Sequence, residues 1–183
     1  MLFEYETNRL ILKVLKPDWA PSVLDFYLRD KELFETYEPD RIPKFYTVSH
    51  QKTLLKCEYN LAFKQQTIRY YVFLKSNPNQ IIGTICFHNI MKTLYSSCEL
   101  GYKFSSEFHH QGYATEAISH GLDMIFSELG LHRVIAWVLP ENEPSLRLLA
   151  RIGFIQEGVC RSMLPMKGQW RDHIQLSLIS PLQ

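Results

Sequence analysis

The stretch from His109 to Gly153 restricts the fold more than any other, because turn, helix, strand and helix signals follow one another in it with short joins. Apolar residues fall at Ala114, Ala117, Ile118, Leu122, Ile125 and Leu129, a helical spacing that begins just after the polar connection HHQG. RVIAWVL, residues 133–139, is a run of β-branched, aromatic and aliphatic residues with the length of a buried strand. Asn142 then stands where a helix cap is wanted, Pro144 falls in the first turn where a missing N–H costs little, and Gly153 is placed to end the helix. That order argues for an α/β layer.

The turn before the first of these helices has a chemistry of its own. No acidic residue lies between His109 and Thr115, and a helix start exposes unpaired N–H groups at the positive end of the peptide dipole. Such a terminus is a ready seat for phosphate. Gly112 lets the backbone approach an anion with no Cβ in the way, and Ala114 keeps the same surface small. From the turn alone, an ordinary helix start is an equally good reading.

At 183 residues the chain has room for one domain, residues 1–183, and not for two comfortable ones. Its formal net charge of +1, with no block of like charges, gives no electrostatic footprint for direct nucleic-acid binding or for an anionic membrane. Cys57, Cys86, Cys98 and Cys160 are scattered, with no Cys-x-x-Cys pair and no zinc-like spacing, so they read as reduced thiols of a cytoplasmic protein. Neither a signal peptide nor an apolar run near the ~20 residues of a membrane span is expected. His109 and His110 are consecutive in a turn and do not converge on one point, so no metal is assigned.

Residues 9–15 alternate as a first strand, and Trp19, Val23, Phe26 and Tyr27 mark a helix over about 18–29. Residues 37–46 carry two prolines, three aromatics and several charges, and either line a cleft or cap the core as a connector. Ser49 is placed to cap a helix running to about Gln66. Strands over 68–75 and 80–89, joined by the turn-rich 76–79, lead to a third over 97–104 in an antiparallel meander. In that last strand Cys98, Leu100, Tyr102 and Phe104 share one face, with Glu99, Gly101 and Lys103 on the other. Residues 154–164 and 170–179 read as a final hairpin around 165–169.

The segment His109-x-x-Gly112-x-Ala114 resembles the pyrophosphate loop of the GNAT N-acetyltransferases, Gln/Arg-x-x-Gly-x-Gly/Ala. Asn142-Glu143-Pro144-Ser145, followed by Ile152-Gly153-Phe154, resembles that family's Asn-x-x-Ser/Ala segment and closing Gly-Phe. The fuller wording Gly-Tyr-Ala-Thr-Glu, Leu-His-Arg-Val and Gly-Phe-x-x-Glu-Gly, with residues 6–12 and Trp170-Arg171-Asp172-His173, is similar to the RimJ/RimL branch, which acetylates the N-terminal amine of ribosomal proteins.

The resemblance implies a single α/β domain with a mixed, mostly antiparallel central sheet and helices on both faces. The sheet would splay between the family's fourth and fifth strands, here those ending near Phe104 and starting near Arg133, with acetyl-CoA in the gap and no metal. It implies that His109, His110, Gln111, Gly112, Tyr113, Ala114 and Thr115 surround the diphosphate, that backbone groups of Tyr102, Lys103 and Phe104 meet the pantetheine arm, and that Asn142 bonds one of its amides. An N–H of the strand carrying Gly101 to Lys103 would stabilise the oxyanion. Many relatives place Tyr seven residues after the motif Asn to protonate the leaving thiolate; here Leu149 stands there, and Ser145 matches the hydroxyl proposed for that job in this branch, which as a weak acid reads as steadying the sulfur by a hydrogen bond. His109 in place of Gln/Arg leaves the backbone contacts intact.

Among the carboxylates Glu99 is the best placed as a base or water relay, with His88 the second candidate, while Glu116 reads as structural. An N-terminal α-amine, with a reference pKa of about 7.7 to 8.0, needs no strong base. The reading is therefore an acetyl-CoA-dependent N-acetyltransferase acting on a protein N-terminal amine, such as that of a ribosomal protein, as a monomer or homodimer. A small-amine acetyltransferase for a polyamine, aminoglycoside or amino acid and a non-catalytic acyl-CoA-binding module are the alternatives. No Gly-x-x-x-x-Gly-Lys-Ser/Thr occurs, which disfavours nucleotide hydrolysis.

Overall fold

Alternation at a period of two sets the layers. In the strand of residues 68–74, Ile68, Tyr70 and Val72 enter one buried cluster while Tyr71 and Phe73 enter another on the opposite face. The computed structural model describes residues 1–182. Among them the sheet comprises β1 (Glu4–Glu6), β2 (Leu10–Lys13), β3 (Ile68–Leu74), β4 (Asn77–Met91), β5 (Ser97–Phe104), β6 (Arg133–Val138), β7 (Ile155–Met166) and β8 (Gln169–Ile179). They lie in the order β1-β2-β3-β4-β5-β6-β8-β7. Every pairing is antiparallel except that of β5 with β6.

Helices cover both faces, as the resemblance implies. On one, α4 (Tyr113–Ser127) buries Ala117, Ile118, Leu122 and Ile125 together with Leu149 of α5 (Glu143–Ile152). On the other, α1 (Ala20–Arg29), α2 (Lys31–Tyr37) and α3 (Val48–Phe63) contribute Val23, Phe26, Phe34 and Leu55. α4 approaches the sheet closely because Gly121 has no Cβ, which would come within 2.8 Å of the Phe87 ring. All four cysteines are free, Cys57 exposed and Cys86 and Cys98 buried. Among the described residues no helix is long and apolar enough to cross a membrane.

Several boundaries differ from the sequence expectations for identifiable reasons. β1 pairs only three residues with β2, too few to show a period. α2 buries only Phe34, so its seven residues carry no readable stripe. The cap of α3 is Thr47, whose hydroxyl accepts from the His50 amide at 3.3 Å, two residues before Ser49. Leu74 pairs with Asn77, so the first hairpin turns at residues 75–76 and not over 76–79. The last hairpin turns at Lys167 and Gly168, both left-handed with φ of 50° and 74°, which lets β7 run on to Met166.

The sheet splits between β5 and β6. Their parallel ladder holds only from Ser97, Cys98 and Glu99 to Arg133, Val134 and Ile135. Beyond that point β5 follows β4 to Phe104 while β6 follows β8 to Val138. These are the two strands the resemblance named, shifted by one in the count because β1 precedes them.

Candidate active site

The split opens a cleft of about 830 Å³ that passes from one face of the sheet to the other. On the α4 and α5 side it is lined by Gly112, Tyr113, Ala114, Thr115, Asn142 and Ser145. On the α2 side it is lined by Phe34, Glu38, Arg41, Arg69, His88 and Lys103, with Gly101 on the strand between.

At the first end the turn is shaped for an anion. Gly112 adopts φ 81° and His110 φ 60°, and α4 starts immediately afterwards. The first bond of the helix runs from the Glu116 amide to Gly112, so the amides of Tyr113, Ala114 and Thr115 have no acceptor inside it. These three donors can hold a diphosphate. Glu116 faces away and clamps the N-terminal segment: its carboxylate accepts from Thr7 Oγ1 at 2.6 Å, the Arg9 amide at 2.8 Å and Arg9 Nε at 2.7 Å. Arg9 also donates to the Gln111 carbonyl at 3.0 Å and lies 4.5 Å over the Tyr113 ring. Sequence reasoning placed Glu116 in a structural role but passed over Arg9, the cation beside the anion turn. His109 turns back to the Phe104 carbonyl, 2.9 Å from its Nε2, so that carbonyl is engaged within the chain. Gln111 bonds the Glu107 carbonyl at 2.9 Å, and His110 lines the cleft.

In the throat, Asn142 caps α5 by accepting from the Ser145 amide at 3.2 Å, leaving its Nδ2 without a partner among the described residues. Ser145 Oγ is 2.6 Å from Tyr102 Oη. Burial pushes the Tyr102 hydroxyl up to about 12 against a smaller pull from Ser145, so it stays protonated across the physiological range. Leu149 is fully buried in the core. Trp137 also lines the cleft, but its indole N–H is buried away from solvent and has no partner among the described residues.

On the α2 side, cross-strand pairing sets Arg69, Cys86 and Gly101 in one row, Thr84 beside Lys103 and His88 beside Glu99. Glu99 stands behind His88: its Oε1 accepts from Asn89 at 3.0 Å and its Oε2 is 3.8 Å from His88 Nδ1. His88 lines the cleft, its Nε2 the nearest atom to a Cβ built on Gly101, at 3.9 Å. Burial holds the imidazole below its usual range despite the opposing pull of Glu99. The Lys103 side chain turns away from α4 to pair with Glu38, which also pairs with Arg41. Burial alone would raise the Glu38 carboxyl, but the two cations overcome it and hold it below the ordinary range. Among the described residues no group of three His, Cys, Asp or Glu side chains gathers as a metal site would.

Known proteins resemble this chain in sequence and fold. A ribosomal protein uS5-alanine N-acetyltransferase of Escherichia coli (strain K12) is 29% identical over 175 residues, 96% of this chain and 90% of its own length. Ribosomal-protein-S5-alanine acetyltransferase from Vibrio fischeri superposes with a TM-score of 0.91 at 28% identity, covering 98% of this chain and 97% of that one. Mycobacterium smegmatis RimJ, solved in complex with a CoA disulfide, gives 0.88 at 26% identity over 95% of this chain and 84% of its own. The acetyltransferase (GNAT) domain profile matches residues 9–155, a span that holds the anion turn, the split strands and the Asn142–Ser145 segment, and the chain belongs to that family.

Proposed function

We propose that this chain transfers the acetyl group of acetyl-CoA to a protein N-terminal α-amine of the kind ribosomal proteins present. The observation that carries the reading is the gap between β5 and β6, which joins an anion turn on one face to a pocket for an amine on the other. The relatives named for ribosomal-protein acetylation support the choice of acceptor.

The residues present fit the co-substrate. The free amides of Tyr113, Ala114 and Thr115 suit a diphosphate, and Asn142 Nδ2 is a spare donor where an arm with amide groups would lie. Bound acetyl-CoA supplies a thioester carbonyl open to attack by an amine. Past Glu99 the β6-facing edge of β5 has no partner strand, so an N–H there can meet a developing oxyanion. Ser145 steadies the departing sulfur with a hydrogen bond, an orientation in which Tyr102, held protonated, donates to Ser145 Oγ. Attack of the amine forms the C–N bond and puts charge on the carbonyl oxygen; return of that charge then breaks the C–S bond, and the sulfur leaves as thiolate. His88, held neutral, takes the amine proton directly or through water, with Glu99 orienting the ring.

The test mixes purified protein and acetyl-CoA with N-terminal peptides, polyamines and amino acids while following thiol release and product mass. Acetylation of peptide α-amines supports the reading. Turnover confined to small amines replaces the acceptor, and CoA binding without release by any amine leaves only a binding module.

A further inference from the structure

The amine side of the cleft is electrically polarised along β5. Glu99, Gly101 and Lys103 share one face of the strand, with roughly 6 to 7 Å between successive positions of that row. At one end stands Glu99 beside His88. At the other, Lys103 and Arg41 share a single carboxylate, Glu38, so two cations face one anion. Side-chain exposures of 12% for Lys103, 18% for Arg41 and 20% for Glu38 place this excess charge where water screens it weakly. Aromatic rings enclose it: Arg41 lies 3.9 Å from the Phe45 centroid and 4.8 Å from that of Tyr27, and Lys103 lies 5.0 Å from Tyr27. Arg41 Nε is buried with no acceptor.

Among the described residues no second carboxylate pairs with that end. Arg69 is answered by Glu58 at 2.7 Å, and Glu35 of α2 accepts from Tyr46 at 2.6 Å. Gly101 leaves the middle of the row open, with nothing nearer than His88 to a Cβ built there. A ligand lying along the row therefore meets His88 with the Glu99 carboxylate behind it, an opening to the gap and then a positive group.

Resting on the acetyltransferase reading above, we propose that the acceptor is a peptide with an acidic side chain at its second or third residue. Its α-amine reaches the opening at Gly101 beside His88, which Glu99 backs, and its carboxylate reaches Lys103 and Arg41. The geometry agrees: in an extended peptide the carboxylate of a second-residue Asp or Glu lies roughly 6 to 8 Å from the α-amine, and that of a third residue somewhat farther. Free α-amino acids, whose amine and carboxylate are about 3 Å apart, are too short to touch both ends.

The test compares kcat/KM for peptides of one sequence carrying Glu, Gln or Lys at the second residue, and separately at the third. At one of these positions Glu should exceed Gln by about tenfold and Lys should be worst, a difference typical of one charge complementarity in a shielded site. Arg41→Gln should bring the Glu-to-Gln ratio towards one, and Arg41→Lys should preserve most of it. Should the Arg41 variants not fold, the peptide ratios measured on the unaltered protein decide alone. Equal turnover of all three peptides at both positions overturns this inference and leaves the acetyltransferase reading standing. Failure to acetylate any peptide overturns both.

Discussion

Tyr102 Oη, on β5, and Ser145 Oγ, in the first turn of α5, lie 2.6 Å apart across the throat of the cleft. Leu149 fills the core where many family members carry a phenol, and here a phenol returns to the same cleft from a different element. Ser145→Ala and Tyr102→Phe should each lower kcat by about ten- to a hundredfold while leaving CoA affinity within about twofold, because the Asn142 cap uses the Ser145 backbone amide and survives both changes. The double variant should cost less than the product of the two, as expected of groups acting through one hydrogen bond. Stopped-flow turnover with calorimetric CoA titration checks this; an equal loss of affinity and rate would reduce the pair to shaping the site.

His88 and Glu99 separate by pH. Burial depresses the His88 pKa below its ordinary 6.5 and the Glu99 charge pulls it back up, so the imidazole is neutral at pH 7 and protonates only as the pH falls past that depressed value. With His88 as base, kcat/KM carries an acid limb below pH 6.5, beneath the one set by the substrate amine itself. Glu99→Gln removes the upward pull, so its limb should move to still lower pH with most activity retained. His88→Gln should lose that limb and about ten- to a hundredfold in kcat. The reverse pattern, a dead Glu99→Gln and an active His88→Gln, would make the carboxylate the base.

The clamp between Glu116 and the Thr7–Arg9 segment predicts a binding defect far from the chemistry. Burial disfavours the Glu116 charge, but hydrogen bonds from Thr7 and Arg9 more than offset it and hold the carboxyl low. Glu116→Gln sets an amide against Arg9 and unmoors the cation that rests on Gln111 and Tyr113. The KM for acetyl-CoA should rise about tenfold with little change in kcat, the mark of lost uniform binding. Gly112→Ala should act similarly, because φ of 81° costs an alanine about 1 to 2 kcal/mol and its Cβ would come 3.3 Å from the Arg9 guanidinium. Unchanged KM in both variants would detach the turn from anion binding.

What the sequence disclosed follows from the range of the interactions. The elements from α4 to α5 were legible because a helical stripe, a short apolar run and a cap are local signals. So was the face of β5 that carries Glu99, Gly101 and Lys103, since alternation is local too. That His88 and not Glu99 lines the cleft depends on the β4–β5 register, which a hairpin with a shift between His88 and Met91 does not print in its spacing. The Tyr102–Ser145 bond spans 43 residues and the Lys103–Glu38 pair 65, and only the folded sheet brings those partners together. Arg9 was readable as part of a motif, yet nothing in its neighbours announces the anion turn a hundred positions later.

Glu38 ties the acceptor wall to stability. Its carboxyl titrates below the ordinary 4.5 because Lys103 and Arg41 outweigh the burial that would raise it. A group whose folded pKa is depressed adds stability that is fully present above its unfolded pKa and is lost as the pH falls through the folded value. Glu38→Gln leaves two cations crowded among Tyr27, Phe34 and Phe45 without their anion. Breaking such a pair costs about 3 kcal/mol, which for a chain of this size is a fall in Tm of roughly 6 to 12 °C at pH 7. The deficit should shrink as the pH drops below about 4.5 and the native carboxyl takes up its proton, since both proteins then lack the charge. Every other depressed carboxyl, Glu116 and Asp30 included, is common to the two proteins, so the difference between their melting curves isolates Glu38. Calorimetry from pH 7 to about pH 3 reads it directly: a constant deficit would show that the side chain acts by shape alone, and a closing one that its charge holds the wall together.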